Sequence, residues 1–350
     1  MSSQSLSIVL AERPKGAIQP GKTFKQKTDP APQPSDLKEG EILIETLYLS
    51  LDPAMRGWLD DVRSYVPPVQ IGEVMRGSTI SRVLASRSPR ASTGDLVIAS
   101  TGWREVAIAG PRDFETAADV PLPKNGKVTD LQGVLGMTGL TAYFGMSKIG
   151  SPKPGETVVV SGAAGATGSV AAQMAKIAGA RVVGLAGSDE KCAWLERELG
   201  FDVCLNYKDP EFVRKFKEAT PKYIDVYFDN VGGEILDLAL SRANKKARFV
   251  MCGAISQYNS TDPRGPRQIS KVITQRIRME GFIVFDYANE YPAARKQLGQ
   301  WLAEGKLKRQ ETVVRGGLKV AEQALVDLFR GGNTGKLLVE VKSPEAKSKL

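Results

Sequence analysis

The sequence predicts an α/β fold in which a doubly wound parallel sheet follows a mostly β region. Three observations lead to this prediction. A glycine-rich turn, Gly162 to Gly168, stands between a run of valines and an apolar helical segment. From Thr157 onward, strand-like and helix-like segments alternate, which is typical of a doubly wound sheet. Before about residue 125, short strand-like segments separated by turn signals predict a compact β-barrel.

The glycine turn begins where the predicted strand Val158–Ser161 ends, and it leads into the helix. With a second strand at Arg181–Leu185 it forms a βαβ unit, the place where open α/β sheets bind dinucleotides. The pattern is A-x-G-x-x-G, in which Ala163 replaces the usual first glycine. We expect Gly165 to let a pyrophosphate approach the helix N-terminus, and Gly168 to let the helix pack on the strand. The alternative is a glycine-rich turn with a structural role only.

The other elements are predicted from hydrophobic periodicity and turn signals. Further strands are predicted at Leu6–Leu10, Glu41–Leu49, Ile80–Ala85, Leu96–Ala99, Trp103–Ile108, Val203–Leu205, Ile224–Phe228, Ala247–Met251 and Met279–Val284. Helices are predicted at Leu131–Ile149, Glu211–Ala219, Glu234–Leu240 and Tyr291–Glu304, and the chain closes with elements at Thr312–Arg315, Leu318–Phe329 and Lys336–Val341.

Composition restricts the chemistry. The chain has 350 residues, enough for about two domains, and it contains no histidine. A Ser-His-Asp triad, a histidine base and the usual imidazole ligands of zinc are therefore excluded. The three cysteines, Cys192, Cys204 and Cys252, are too widely spaced to suggest a disulfide framework or a zinc knuckle. Catalysis must then depend on a cofactor or on Tyr, Lys, Ser or carboxylate groups.

The net charge of +9 has two interpretations. One is a nucleic-acid partner, and the other is a solvated basic surface with a site for an anionic cofactor. The lysines and arginines are scattered and form no basic block interleaved with aromatic residues, which favours the second interpretation and predicts no nucleic-acid partner. No apolar run is long enough to span a membrane, and Ile8–Ala11 is too short for the apolar core of a signal peptide.

The end of the second strand bears on the choice between NADPH and NADH. An NAD site usually has an acidic residue there to bind the ribose 2′-hydroxyl, but this strand ends in Gly187-Ser188. The nearest acid, Asp189, lies beyond the small residues, and Lys191 follows within one helical turn. Small residues with a nearby cation suit a 2′-phosphate and favour NADPH over NADH, and the alternative for Lys191 is a surface lysine on a helix.

At this point the sequence resembles a known family, the zinc-independent medium-chain dehydrogenase/reductases. Within it, the chain is most similar to the branch that contains prostaglandin reductases, leukotriene B4 12-hydroxydehydrogenase, plant alkenal double-bond reductases and bacterial curcumin reductase. The segments that carry the resemblance include LYLSLDPAMRGW at 47–58, IGEVMRG at 71–77, VLGMTGLTAYFGM at 134–146, the whole stretch 158–191, FDVCLNYK at 201–208, YFDNVGGEILD at 227–237, CGAISQYN at 252–259, RMEGFIVFDY at 278–287 and GNTGKLLVE at 332–340.

The resemblance implies a GroES-like β-barrel catalytic domain at 1–125, completed by 308–350, and a Rossmann NADPH-binding domain at 126–307. It also implies the cofactor-binding residues. The turn Gly165, Ala166, Thr167 and Gly168 would hold the pyrophosphate, and Ser188, Lys191 and Tyr207 would surround the 2′-phosphate. The remaining implied contacts are Asn230, Cys252, Gly253, Ala254, Ile255, Ser256, Tyr258, Phe282, Ile283, Val284 and Asn333.

The family reduces the C=C bond of α,β-unsaturated aldehydes and ketones with NADPH and needs no metal. In relatives, the tyrosine of the CGxISxYN motif is proposed to stabilise the enolate together with the nicotinamide ribose. Here that residue is Tyr258, and the alternative is that it only packs on the ribose. Many relatives have a tyrosine where this chain has Ala54, so we expect a roomier or less polar substrate pocket. A quinone reductase on the same scaffold and a cofactor-bound nucleic-acid-binding or structural protein are the competing hypotheses.

Two further expectations concern location and assembly. The sequence ends in Ser348-Lys349-Leu350, the pattern that a peroxisomal import receptor recognises at a free C-terminus. Peroxisomal import is therefore expected, and the alternative is a chance ending on a lysine-rich tail of a cytoplasmic protein. The resemblance also implies a homodimer, in which the strand near Arg278–Val284 would pair with its copy.

Overall fold

The computed structural model describes residues 4–345, so Ser348–Leu350, the predicted import signal, lies outside the described residues. The strands, in chain order, are β1 (Gln4–Leu10), β2 (Phe24–Pro30), β3 (Ile42–Leu51), β4 (Thr79–Ser86), β5 (Leu96–Ala99), β6 (Val106–Ala109), β7 (Phe114–Thr116), β8 (Thr157–Val160), β9 (Arg181–Ala186), β10 (Val203–Asn206), β11 (Ile224–Asp229), β12 (Ala243–Met251), β13 (Arg278–Gly281), β14 (Glu311–Arg315) and β15 (Lys336–Glu340). The α-helices are α1 (Ala54–Gly57), α2 (Met137–Phe144), α3 (Ala166–Ile177), α4 (Asp189–Leu199), α5 (Phe212–Ala219), α6 (Gly233–Ser241), α7 (Ser270–Thr274), α8 (Tyr291–Ala303) and α9 (Ala321–Phe329).

The chain divides into two compact units. The first unit comprises Met1–Leu122, Lys127–Gln132 and Glu311–Leu350, and the second comprises Pro123–Gly126 and Gly133–Gln310. This division differs from the predicted domains near residue 130, where the prediction assigns Lys127–Gln132 to the Rossmann domain. The reason is hydrogen bonding within the first unit. Thr129 Oγ1 donates to Glu311 Oε1 at 2.9 Å, and Gln132 Nε2 donates to Ser78 Oγ at 2.7 Å.

The second unit is built on a sheet of six strands in the order β10-β9-β8-β11-β12-β13. All neighbouring strands are parallel. Counted from β8, this is the order 3-2-1-4-5-6 of a doubly wound sheet, and the predicted Rossmann fold is confirmed. The direction of winding reverses between β8 and β11. The carboxyl ends of these two strands are where such a sheet binds its ligand.

The strands of this sheet are apolar because both faces are covered. Val158, Val159 and Val160 of β8 are fully buried, as continuous valine runs in parallel sheets usually are. Val159 belongs to a core cluster that includes Phe216 of α5 and Phe249 of β12. This packing holds the carboxyl ends of the central strands in place.

Two elements of this unit have bounds that differ from the predicted ones. The expected helix Leu131–Ile149 is divided: α2 begins only at Met137, and a π-helical turn, Gly145–Gly150, follows it. A Cβ on Gly139 would lie 1.8 Å from the carbonyl oxygen of Val134, so the preceding turn folds back onto the helix. The expected strand Met279–Val284 ends at Gly281, because its one partner, β12, ends at Met251, opposite Gly281.

The first unit is antiparallel for the most part. Its main sheet has the order β14-β15-β3-β4-β5-β7, with β6 paired to β3, and β1 and β2 form a separate hairpin-like pair. The sheet is barrel-like, as predicted, and the strands β2 and β7 were not anticipated from the sequence. One core cluster contains Trp103, Met75 and Leu325. In the described range of both units, no helix is long and apolar enough to cross a membrane.

Candidate functional site

The glycine turn opens onto the N-terminus of α3. The first helical hydrogen bond runs from Ser169 N–H to the carbonyl oxygen of Gly165 at 3.0 Å. The N–H groups of Ala166, Thr167 and Gly168 precede it and therefore have no acceptor within the helix. Three adjacent N–H groups at the positive end of a helix dipole favour an anion. The turn can thus hold a phosphate group, as the sequence predicts.

Gly165 and Gly168 are needed for different reasons. A Cβ on Gly165 would meet only the Gly162 carbonyl oxygen, at 3.3 Å, so this protein leaves the space beside Gly165 nearly open. A Cβ on Gly168 would lie 2.4 Å from the same oxygen. Gly168 therefore lets the helix pack closely against the turn that directly follows β8. The open space at Gly165 fits a ligand that approaches the backbone closely.

Asn230 lies beside the glycine turn at the reversal point of the sheet. It directly follows β11, and its side-chain amide donates to the carbonyl oxygen of Ser161 at 2.7 Å. Its backbone N–H donates to Ser161 Oγ at 2.9 Å. A Cβ on Gly162 would contact Asn230 Cβ at 3.4 Å. The two strand ends therefore place Asn230 next to the turn that would hold a pyrophosphate.

A buried carboxylate, which the sequence reasoning did not single out, organises this junction. Asp229 is fully buried, and its Oδ1 accepts hydrogen bonds from Ser161 Oγ, Tyr227 OH and the N–H groups of Val231 and Gly232 at 2.8–3.0 Å. Burial raises the pKa of Asp229 above its ordinary value, and the hydrogen bonds oppose that shift. The group fixes the start of the loop after β11. In the sequence, the feature that could have pointed to Asp229 is an acidic residue at the end of an apolar strand.

The loop after β12 is attached to the loop after β11. The N–H groups of Cys252 and Gly253 both donate to the carbonyl oxygen of Asp229 at 2.9 Å. Ile255 N–H donates to Asn230 O at 3.2 Å, and Ser256 Oγ donates to Val231 O at 2.6 Å. The predicted segment Cys252–Tyr258 and the predicted residue Asn230 therefore lie together.

Tyr258 is anchored within that loop. Its phenolic oxygen accepts a hydrogen bond from Ala254 N–H at 3.0 Å, and a Cβ on Gly253 would lie 3.0 Å from the same oxygen. The loop thus holds the hydroxyl group in a defined position beside two backbone residues.

Cys252 is unsuited to act as a nucleophile. Burial, with a smaller contribution from the charge of Asp229, raises the pKa of the Cys252 thiol to about 12. The thiolate is the reactive form, so the thiol stays protonated near neutral pH. This agrees with the expectation that Cys252 is not a reacting group, and its place beside the cofactor stays a prediction.

A second group of predicted residues gathers at the ends of β9 and β10. Ser188 caps α4, where its Oγ accepts from Lys191 N–H at 3.3 Å. A Cβ on Gly187 would lie 2.7 Å from Tyr207 OH, so the tyrosine hydroxyl rests against the glycine. Burial lowers the pKa of Lys191, and the charge of Lys208 lowers it further. The structure brings together Ser188, Lys191 and Tyr207, and it adds Lys208 and Asn206, which the sequence reasoning missed.

Three predicted residues follow β13. The ring of Phe282 packs on Gly145, where an added Cβ would lie 2.8 Å from the ring. Val284 accepts a hydrogen bond from Tyr291 OH at 3.1 Å, and Ile283 accepts one from Asp286 N–H. None of these three contacts joins the segment to the glycine turn or to the loop after β12.

The remaining predicted residue, Asn333, belongs to the first unit, where its amide donates to Gly335 O at 2.7 Å. Ala54 also belongs to that unit and is the first residue of α1. Among residues 4–345, no group of three or more His, Cys, Asp or Glu side chains could hold a metal ion.

Two family models match the chain. Residues 7–117 match an N-terminal domain of oxidoreductases, and residues 166–300 match a model described as zinc-binding dehydrogenase. The NADPH-dependent curcumin reductase of Escherichia coli is 42% identical over 95% of this chain and 96% of its own length. A 2-alkenal reductase (NADP⁺-dependent) of Nicotiana tabacum is 42% identical over 86% of this chain and 87% of its own length.

A solved structure agrees with these relatives. The crystal structure of CurA from Vibrio vulnificus in complex with NADPH superimposes with a TM-score of 0.89 at 40% identity, over 97% of this chain and 100% of CurA. Identity of this size along nearly the whole length, joined to the sheet order and the glycine turn, shows that the chain belongs to the zinc-independent branch of the medium-chain dehydrogenase/reductases.

Proposed function

We propose that this protein is an NADPH-dependent reductase of the C=C bond in α,β-unsaturated ketones and aldehydes. The observation that carries the proposal is the likeness to relatives named for this chemistry, the curcumin and 2-alkenal reductases, over almost the whole chain. The NADPH complex of CurA supports the same cofactor. The open backbone at Gly165 and the lysine group at the end of β9 fit that cofactor.

The residues of the second unit divide the task of holding NADPH. The N–H groups of Ala166, Thr167 and Gly168 would bind the pyrophosphate, and Lys191 and Tyr207 would bind the 2′-phosphate. The bound cofactor supplies the hydride for the β-carbon of the substrate. Negative charge then develops on the carbonyl oxygen of the substrate as an enolate, and a proton from water at the α-carbon completes the reduction. A hydrogen-bond donor directed at that oxygen lowers the barrier.

Tyr258 is our candidate for this donor. Its hydroxyl is held by Ala254 N–H in the loop that follows β12, next to the loop that carries Asn230. A fixed donor needs no reorganisation during the reaction, which is the source of its catalytic benefit. The neutral thiol of Cys252 in the same loop would leave the electrostatics of the site unchanged.

A substrate panel tests the proposed function. Oxidation of NADPH is followed with 2-alkenals, cyclic enones, curcumin-like dienones and quinones, and the products are identified by mass spectrometry. We expect turnover of enals and enones with a mass gain of two hydrogens at the C=C bond. Turnover restricted to quinones would replace this proposal with a quinone reductase. Binding of DNA with steep salt dependence, without any NADPH oxidation, would support the nucleic-acid hypothesis.

We also propose that the protein forms a homodimer through the edge of the parallel sheet. β13 is one of the two edge strands of this sheet, and the exposed apolar side chains Ile269, Ile273 and Phe285 lie close to it in the chain. An open edge of this kind favours pairing with a second copy. Light scattering coupled to gel filtration should give twice the chain mass. Ile273→Glu should weaken the dimer, whereas Val213→Glu on α5 should not, and a monomeric wild type would contradict the proposal.

Peroxisomal import is a further proposal, supported by Ser348-Lys349-Leu350 in the sequence. Imaging of the chain carrying an N-terminal fluorescent protein, with and without these three residues, tests it. Punctate localisation that depends on the three residues supports import, and a diffuse distribution in both cases contradicts it.

A further inference from the structure

Lys208 occupies a defined place at the predicted 2′-phosphate site. β9 and β10 are parallel and end together, with Asn206 opposite Ala186. Tyr207 N–H donates to the carbonyl oxygen of Ala186 at 3.0 Å, which extends the pairing by one residue. Gly187 and Tyr207 therefore leave the sheet side by side, and Lys208 is the next, exposed residue.

Asn206 controls the surroundings of Lys208 with both ends of its amide. Asn206 Oδ1 accepts from Lys208 N–H at 3.0 Å, and Asn206 Nδ2 donates to Asp189 Oδ1 at 3.0 Å. The first bond fixes the backbone from which the lysine side chain extends. The second holds the carboxylate of Asp189, in the first turn of α4, against the amide. A carboxylate that was released there would compete with a phosphate for the lysines.

The charges of Lys191 and Lys208 act on each other. Burial is the larger cause of the lowered pKa of Lys191, and the charge of Lys208 is the second. Within residues 4–345, Lys208 itself forms no ion pair, so its charge is available to an anionic ligand. Two like charges held close together cost free energy, and a dianion bound between them removes that cost.

We propose that Lys208 is a second cation that recognises the 2′-phosphate of NADPH, beside Lys191, and that Asn206 is the residue that positions it. The proposal rests on NADPH as the cofactor. It explains how a chain with an acid, Asp189, close to the predicted ribose site can still prefer the phosphorylated cofactor: the asparagine engages the acid, and two lysines outweigh it. Lys208 would therefore help to determine cofactor specificity.

Equilibrium binding separates this inference from the proposed function, because it requires no substrate. Affinities for NADPH, NADH, adenosine 2′,5′-bisphosphate and adenosine 5′-monophosphate are measured by calorimetry on the full chain. For Lys208→Ala we expect the Kd of both 2′-phosphorylated ligands to rise about tenfold, equivalent to about 1.4 kcal/mol. The Kd of NADH and of the monophosphate should not change. Lys208→Arg should stay close to the wild type, because the charge is kept.

Lys217→Ala, which removes an exposed lysine from α5, is the matched control and should bind all four ligands as the wild type does. Unchanged NADPH binding in Lys208→Ala overturns the proposal, and so does an equal loss for NADPH and NADH. Failure of the wild type to bind NADPH at all would instead contradict the proposed function.

The positioning role of Asn206 has its own test. Asn206→Ala should weaken NADPH binding about threefold, and Asn206→Ala/Asp189→Ala should recover part of that loss, because the released carboxylate is then absent. A purely structural role predicts no recovery, since the double variant loses the hydrogen bond to Lys208 N–H as well. Absence of any effect in the single variant, or of recovery in the double variant, overturns this part of the proposal.

Discussion

The side-chain amide of Asn230 donates a 2.7 Å hydrogen bond to the carbonyl oxygen of Ser161, 69 residues earlier in the chain. Ser161 begins the glycine turn, and Asn230 begins the loop after β11. The loop after β12 is in turn attached to that second loop. This side-chain bond is one of the contacts that connect the turn that would hold the pyrophosphate with the segment that carries Tyr258, beside those of Ser161 Oγ with Asn230 N–H and Asp229. The reversal point of the sheet is where these elements meet.

Removal of this connection should loosen the cofactor as a whole. In Asn230→Ala we expect the Kd for NADPH and for NADH to rise together, about tenfold, because the asparagine supports the turn and does not recognise the 2′-phosphate. Calorimetry checks both values. Asn244→Ala is the control: it also removes an asparagine of this sheet, one whose amide bonds Asp225 at 2.8 Å, and it should leave binding unchanged. A selective loss of NADPH would contradict this interpretation.

Gly165→Ala should impair NADPH binding, whereas Gly168→Ala should lower the stability of the free protein. At Gly165 the added methyl meets only one backbone oxygen, at 3.3 Å, so the free protein should keep a melting temperature close to that of the wild type. Its NADPH binding should nevertheless be lost, because the methyl group occupies the space for the pyrophosphate. At Gly168 the methyl would lie 2.4 Å from a carbonyl oxygen, so the free protein itself should melt several degrees lower. Calorimetric melting and ligand titration together distinguish the two, and equal melting temperatures would contradict the distinction.

Tyr258→Phe should affect turnover more than cofactor binding. The variant keeps the ring and removes the hydroxyl, and we expect kcat to fall about 10- to 100-fold while the Kd of NADPH changes little. Stopped-flow measurement of the hydride-transfer step checks this. Tyr223→Phe removes an exposed hydroxyl of the same unit and should behave as the wild type. Equal rates for Tyr258→Phe and the wild type would remove the catalytic role and leave a packing role.

The preference for NADPH over NADH should depend on pH in a defined direction. Burial, aided by the charge of Lys208, lowers the pKa of Lys191. As the pH rises through that lowered pKa, the free protein loses the ammonium charge, so NADPH affinity should fall while NADH affinity stays level. On the acid side the 2′-phosphate gains a proton near about pH 6, which also weakens binding. The ratio of the Kd values of NADPH and NADH, measured between about pH 5.5 and 10 at constant ionic strength, should rise at both ends of this range, with an acid limb and an alkaline limb.

A substitution at Lys191 identifies the group that causes the fall in NADPH affinity at high pH, called here the alkaline limb. Lys191→Met should abolish it and leave the acid limb in place, because the lysine is the titrating group of the protein. If the alkaline limb persists in Lys191→Met, another group is responsible.

Cys252 should resist alkylation in the folded protein. With the pKa raised to about 12, the Cys252 thiol stays almost entirely protonated at pH 8, whereas an ordinary thiol is partly ionised there. Iodoacetamide labelling followed by peptide mass spectrometry should leave Cys252 unmodified at pH 8 under native conditions and modified in urea. Rapid labelling of the native protein would show that the thiol is ionised and would reopen its role as a reacting group.

Local patterns in the sequence predicted much of the second unit. The strand that begins at Val158, the helix after Gly165 and the strand from Arg181 each depend on neighbouring residues, through hydrophobic periodicity and glycine content. The position of Lys191, within one helical turn of Gly187-Ser188, was likewise predicted from neighbouring residues, whereas the capping role of Ser188 was seen only in the structure. Elements whose limits depend on a distant partner were predicted less well. β13 ends at Gly281 because β12 ends opposite it, and the helix expected at Leu131–Ile149 is interrupted by a turn that packs on Gly139.

The sequence by itself determined that this chain has a glycine turn for a dinucleotide, no histidine for metal or triad chemistry, and a family resemblance that names the reaction. Only the tertiary structure decided which residues meet around that turn. Asp229 joins Ser161 and Tyr227 in a buried network, and Asn206 joins Asp189 to Lys208. The physical reason is that these contacts arise from strand order. Residues far apart in the chain become neighbours when parallel strands end at one edge of a sheet, and local periodicity does not encode that order.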